Sequence, residues 1–254
     1  MSHGAVAAIA RLLARDGLVE AFGHVSARAP GGFLMTPTTP PLAAARSGDV
    51  LALDGDGRVI AGDPAARPLE APLHAAIYRA RPDVGAICRT HSPHAAAWAA
   101  RGELPPLCHG LGMLAGELAL HDGFDLVADE AAGAAAARDL GAADCLLLRA
   151  NGAVATAATL ERAAVRAHYL EERAAIATAS GTARPLARDE MSRRGRHVEA
   201  EAARAWRWLA LRHGDQDLQP DSPSSWEDGD GSATTSTSAP AERTMSKPLD
   251  RRHG

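Results

Sequence analysis

Glu70 and His74 stand four residues apart in Glu70-Ala71-Pro72-Leu73-His74, a spacing that puts a carboxylate and an imidazole on one face of a helix. That helix, opening near Pro72, leads into a short apolar run, Val84-Gly85-Ala86-Ile87-Cys88, whose carboxyl end delivers Arg89, Thr90 and His91. Glu70, His74 and His91 can therefore converge as a general acid–base set. The plain alternative is a solvated helix face with an exposed glutamate and a hydrogen-bonded histidine.

What else could do chemistry is limited by a single count. Of 27 basic side chains only Lys247 is a lysine; the rest are arginines, which stay protonated and cannot act as nucleophiles. An imine-forming aldolase, a pyridoxal-phosphate enzyme and a phosphate-loop nucleotidase each need a lysine amine at the site. Lys247 lies in a Ser/Thr/Pro-rich stretch far from the candidate residues. A dinucleotide site is also not expected, because His109-Gly110-Leu111-Gly112 lacks the third glycine and the acidic residue that such a motif requires.

The bulk figures, 254 residues with 46% hydrophobic, 23% charged and a formal net charge of −4, suit one globular domain with an appendage and do not favour nucleic acid as a partner. Cys88, Cys108 and Cys145 have no C-x-x-C spacing, and the N-terminus lacks the features of a signal peptide, so a cytoplasmic setting is expected. No uninterrupted apolar stretch approaches the ~20 residues of a membrane span. Neither membrane insertion nor a membrane partner is expected.

The elements that must position the candidates alternate between helix and strand. Ala5, Ile9, Leu12 and Leu13 predict a helix to about Asp16, and Val50–Leu53 with Arg58–Ile60 predict a hairpin around Asp54-Gly55-Asp56-Gly57. Ser92-Pro93 reads as a helix start with a hydroxyl cap, Asp129 to Asp139 as a helix stopped by Gly141, and Cys145–Leu148 as a buried strand before an Asn151-Gly152 turn. Thr159 should cap a helix that turns Leu160, Ala163, Ala164, Ala167 and Leu170 inward. The expected organisation is a mixed α/β layered domain over residues 1–185, a helical extension over 186–214 carrying Trp206, Trp208, Leu209 and Leu211, and a disordered tail over 215–254.

Several segments in order resemble the class II aldolase/adducin family over about residues 4–182. They are Gly23-His24-Val25-Ser26-Ala27-Arg28, Met35-Thr36-Pro37-Thr38-Thr39, the run from Glu70 to Asp83, Thr90-His91-Ser92-Pro93, and Leu147-Leu148-Arg149-Ala150-Asn151-Gly152. The resemblance implies a three-layer α/β/α sandwich of nine-stranded type, a homotetramer with active sites at subunit interfaces, and a divalent metal such as zinc on three histidines. In this chain the first ligand place is Arg89, the second His91 and the third Asn151, while Glu70 matches the family's catalytic carboxylate.

Two of three ligands are thus replaced, and Arg89 brings a positive charge to the place of the ion. No tightly bound metal is expected, with His91 and a weak Asn151 carbonyl as the remaining donors if one binds. His94 and His109 lack the spacing of a ligand pair and read as ordinary loop histidines. Arg89 can take over part of the ion's role at an enolate or carboxylate, or merely fill the hole and pair with Glu70. Phosphate-using members of the family carry a Ser-Ser pair before the catalytic glutamate, whereas Pro68-Leu69 stand here. The expected activity is therefore a lyase, an aldolase or decarboxylase, on a small non-phosphorylated hydroxy or keto carboxylate. Glu70 and Arg89 would be catalytic, with His24, Thr38, Thr39 and His74 binding substrate. The alternative is a catalytically inactive, adducin-like oligomerisation or interaction protein.

Overall fold

Two apolar clusters, one on each face of a single sheet, set the architecture. The structure is a computed structural model that describes residues 2–181, 184–213, 215, 217 and 218. The strands are β1 (His24–Ala29), β2 (Gly32–Met35), β3 (Leu51–Asp54), β4 (Val59–Ala61), β5 (Ala86–Thr90), β6 (Leu118–His121), β7 (Cys145–Leu148) and β8 (Ala153–Ala157). The helices are α1 (His3–Arg15), α2 (Ala71–Ala80), α3 (Pro93–Ala100), α4 (Glu130–Leu140), α5 (Leu160–Ser180), α6 (Arg188–Gly195) and α7 (Val198–His213). Sheet order is β4-β3-β2-β1-β5-β8-β7-β6, antiparallel throughout except for the β6–β7 pair, which α4 connects. The described residues thus form an eight-stranded sheet where a nine-stranded one was expected. Layers of helix on both faces make it a three-layer α/β/α sandwich.

Side-chain alternation assigns each strand residue to a layer. Val25 and Ala27 of β1, Ala86 and Cys88 of β5, and Ala153, Ala155 and Ala157 of β8 pack with α1, α3, α5 and α7. Ile87 and Val154 point the other way, into the cluster built on Leu73, Ile77, Ala136 and Leu140 of α2 and α4. By the same parity His24 and Ser26 of β1 and Arg89 of β5 face the α2 side, and in the β1–β5 register His24 lies directly opposite Arg89. Alanine fills the β8 positions under α5, which lets the long helix lie close to the sheet.

The start and stop signals mostly act as expected. Ser2 caps α1, Asp129 caps α4 through Ala132 N at 2.8 Å, and Thr159 caps α5 through Arg162 N at 3.3 Å. Ser92 departs from expectation: it precedes Pro93 at the start of α3, but its hydroxyl is buried and makes no cap hydrogen bond. Strands β6 and β8 and a 3-10 segment over Gly110–Ala115 had no equivalent in the sequence reading. Among the described residues no helix is long and apolar enough to cross a membrane.

Helix α7 and the last described residues join the main body. Trp206, Leu209 and Ala202 of α7 are buried in the same cluster as α1 and α5, while Trp208 and Leu211 stay exposed. Asp16, the C-cap of α1, has a buried carboxylate that meets His168 of α5 at 2.5 Å and His213 of α7 at 3.2 Å, tying the three helices together. Asp215, placed at the front of the expected disordered tail, is instead buried and paired with Arg11 at 2.7 Å, and Leu218 is buried. The rest of that expected tail, 219–254, lies outside the described residues. Truncating Trp206 to Ala should cost about 3–5 kcal/mol, read as a shift in the denaturant midpoint; a loss below about 1 kcal/mol would mean that α7 does not share the core.

Candidate active site

Three separate segments bring polar side chains to one spot on the α2 face of the sheet. Glu70 is the N-cap residue of α2, with Pro72 in the first turn, so its carboxylate sits at the positive end of the helix. Arg89 rises from the last turn-ward residues of β5, and Asn151 comes from the β7–β8 turn, where Ala150 has φ 60° and Gly152 φ 79°. Gly152 is required there: a Cβ would lie 2.3 Å from the Thr90 carbonyl oxygen and 3.1 Å from Arg89 Nη1.

Glu70 is the meeting point. Its Oε1 accepts from Asn151 Nδ2 at 3.2 Å, and its Oε2 lies 3.2 Å from Arg89 Nε and 4.0 Å from His24 Nδ1. Arg89 is fully buried and anchored from behind, with Nη1 donating to the carbonyls of Thr90 at 2.7 Å and Ala153 at 3.4 Å. The contact of Nε with Glu70 is an ion pair without hydrogen-bond alignment, and among the described residues neither Nε nor Nη2 finds a hydrogen-bond partner. Burial lowers the guanidinium pKa, and Glu70 opposes that shift. Arginine nevertheless remains charged at neutral pH.

Three histidines surround the pair. His24 stacks edge to face on His74 with ring centroids 5.9 Å apart, and His91 lies half-buried with Phe22 at 6.4 Å. His74, expected among the substrate-binding residues, has no exposed surface and lies behind His24: its Nδ1 is 2.7 Å from Ser26 Oγ, which is 2.8 Å from Tyr78 OH. Ser26 and Tyr78 were not singled out beforehand, although both lie within the recognised motifs, and the alternation of β1 would have placed Ser26 beside His24. Thr38 and Thr39 occupy an exposed loop ending in the cis Thr39–Pro40 bond, where Thr38 bonds the Ala66 carbonyl through both N–H and hydroxyl. His94, in the first turn of α3 rather than in a loop, and His109 pair with Glu171 and Glu172 of α5, in the opposite layer.

The donors do not suit a divalent cation. Arg89 places a fixed positive charge where the resemblance puts the first ligand, and Asn151 turns an N–H rather than a carbonyl toward the centre. Among the described residues no three His, Cys, Asp or Glu side chains gather to hold an ion. What the arrangement offers instead is a buried carboxylate for proton transfer beside a buried, permanent cation.

Burial first, and the same cation second, keep the imidazoles neutral. Burial and then the Arg89 charge lower His91 to about 4; burial, then Arg89 and His91, lower His24 to about 3; His74 is pushed well below the usual range by burial, then His24 and Arg89. Unfolded histidines take up protons near pH 6.5 while these do not, so the unfolded state binds more protons below that pH. Stability contributed by the neutral rings is therefore full above pH 6.5 and falls as the pH drops toward 4. Chemical denaturation across that range should show the loss, and His24→Asn should flatten it; an unchanged slope would contradict the assigned burial of charge.

Comparison with known proteins follows the same lines. The pattern of the Class II Aldolase and Adducin N-terminal domain matches residues 4–178. Relatives include an L-fuculose phosphate aldolase of Methanocaldococcus jannaschii, 38% identical over 32% of this chain and 44% of its own length. A 5-methylthioribulose-1-phosphate/5-deoxyribulose-1-phosphate aldolase of Rhodospirillum rubrum is 33% identical over 42% of this chain and 53% of its own. The chain thus spans about half the length of the curated relatives it matches. In fold it is similar to the L-fuculose 1-phosphate aldolase from Glaciozyma antarctica, with TM-score 0.71 and 20% identity over 85% of this chain and 91% of that one. An aldolase II superfamily protein from Pseudomonas syringae gives TM-score 0.69 and 25% identity over 83% and 91%. Motif order, sandwich and matched span agree, and the chain belongs to the class II aldolase/adducin family.

Proposed function

We propose that this protein is a carbon–carbon lyase, cleaving an aldol or removing a carboxyl group from a small, non-phosphorylated hydroxy or keto carboxylate. The observation that carries the reading is the buried Glu70 held 3.2 Å from the buried guanidinium of Arg89. Lyase chemistry at carbon needs a group that moves a proton and a positive charge beside the oxygen that becomes negative as the bond breaks. Glu70 is the first. Arg89 supplies the second from the place where the family carries its ion, and one such preorganised donor contributes about 3–4 kcal/mol.

The relatives' names support aldolase chemistry on sugar phosphates; two features turn this chain toward a carboxylate. Pro68-Leu69 replace the hydroxyl pair expected before the catalytic glutamate, and the Thr38 hydroxyl is committed to Ala66. His24 and His91 would line the substrate space as neutral hydrogen-bonding groups. The homotetramer and cytoplasmic setting expected from the sequence belong to the same proposal. A non-catalytic, adducin-like role is the second reading, favoured by one observation: both Glu70 oxygens are already engaged, by Asn151 and Arg89.

A screen of hydroxy and keto carboxylates should reveal turnover that Glu70→Gln slows by about 10²–10⁴-fold; a variant as fast as the parent would sink the assigned role. Arg89→His combined with Asn151→His should acquire a stoichiometric divalent ion by elemental analysis, whereas the parent should carry none. A dication bound stoichiometrically by the purified parent would show that Arg89 does not stand in for it.

A further inference from the structure

The two arginine nitrogens without hydrogen bonds, Nε and Nη2, lie on one edge of the guanidinium and form a side-on fork. Nη1 is spent on two main-chain carbonyls, which fixes the plane and leaves that edge turned toward Glu70. Buried donors left unpaired are costly, because they give up water and receive nothing in return. Next to the fork His24 Nδ1 is also buried and unpaired, and His74 Nε2 behind it shares that condition. Several buried polar atoms in one place without partners describe a site made for a ligand's oxygens rather than a finished structural pair.

We propose that the Nε/Nη2 edge of Arg89 is the seat of the substrate's carboxylate, and that a monocarboxylate takes it by displacing Glu70 from the ion pair. This rests on the carboxylate reading above and extends it to where the anion binds and what it moves. A carboxylate matches the spacing of two parallel N–H groups, so it makes both hydrogen bonds where Glu70 now makes neither. Few bonds oppose that exchange: as N-cap Glu70 makes no side-chain cap hydrogen bond, and apart from the ion pair itself a single bond from Asn151 holds its other oxygen. The exchange would release Glu70 beside the bound substrate as an unpaired base. A singly charged ligand is favoured over dianionic phosphate, because among the described residues Arg89 is the one permanent cation of this cluster and Glu70 stays nearby as a second negative charge.

Isothermal titration of the full chain with glycolate, pyruvate and inorganic phosphate tests the exchange. Both carboxylates should bind, more tightly than phosphate, and Arg89→Met should lose them by at least about tenfold, as removal of a charge-assisted fork requires. Glu70→Gln removes the competing charge and should bind the carboxylates about tenfold more tightly than the parent. Carboxylate affinity equal to or weaker than the parent's in Glu70→Gln, or a preference for phosphate, would overturn the proposal. The Glu70→Gln arm decides the matter even if Arg89→Met fails to fold. Tight carboxylate binding strengthened in Glu70→Gln but followed by no turnover of any carboxylate would uphold the seat and overturn the lyase reading instead.

Discussion

The buried ion pair of Glu70 and Arg89 is the constraint around which the rest is arranged. A guanidinium with no exposed surface survives in the interior only if its charge is answered, and removing one member of such a pair costs about 3–5 kcal/mol because the other is left unpaired. The fold answers it from three sides: main-chain carbonyls at Thr90 and Ala153 behind, the Glu70 carboxylate in front, and neutral imidazoles around. Those imidazoles can surround a cation because they are uncharged, and they are uncharged because they are buried beside it. Each depends on the other, and the sheet register that sets His24 opposite Arg89 makes the arrangement geometric rather than incidental.

Much of this was legible in the sequence where a local rule governs. Caps such as Asp129 and Thr159, the Asn151-Gly152 turn and the β3–β4 hairpin depend on a few neighbouring residues and appear where those residues predict. The convergence of Glu70, Arg89, His91 and Asn151 was legible through the ordered motifs. What could not be read locally depends on the sheet. β8 is an alanine-rich run, Ala-Val-Ala-Thr-Ala, with no strong strand preference, and it is a central strand because α5 needs small residues beneath it. The spacing of His74 to Glu70 could not show that α2 turns that face down onto β1, where Ser26 meets the imidazole. The front of the supposed tail fooled a composition argument, since Asp215 and Leu218 are polar-segment residues recruited by Arg11 and by the core.

A positive charge supplied by arginine differs from one supplied by a bound ion. An ion must be captured from solution, whereas the charge of Arg89 is covalently built into β5. Such a charge cannot dissociate, needs no open coordination position, and presents a planar edge in place of a sphere. It also demands more of its surroundings: the carbonyls of Thr90 and Ala153 become part of the site, as does Gly152, without whose bare Cα the turn could not pass the Thr90 oxygen.

The order of strands carries a consequence of its own. β1 to β4 form a meander of neighbours in sequence, and β7 and β8 form a hairpin, so each can assemble locally. The β1–β5 and β5–β8 seams join segments far apart in the chain, and such contacts come with the larger loop-closure cost. His24, Arg89 and Asn151 sit on or beside those two seams, with Glu70 supplied by the helix that bridges them. The two halves can each be well formed and still lack a pocket. The centre exists only once both of these long-range joints are closed, which makes its integrity a report on the completeness of the whole fold.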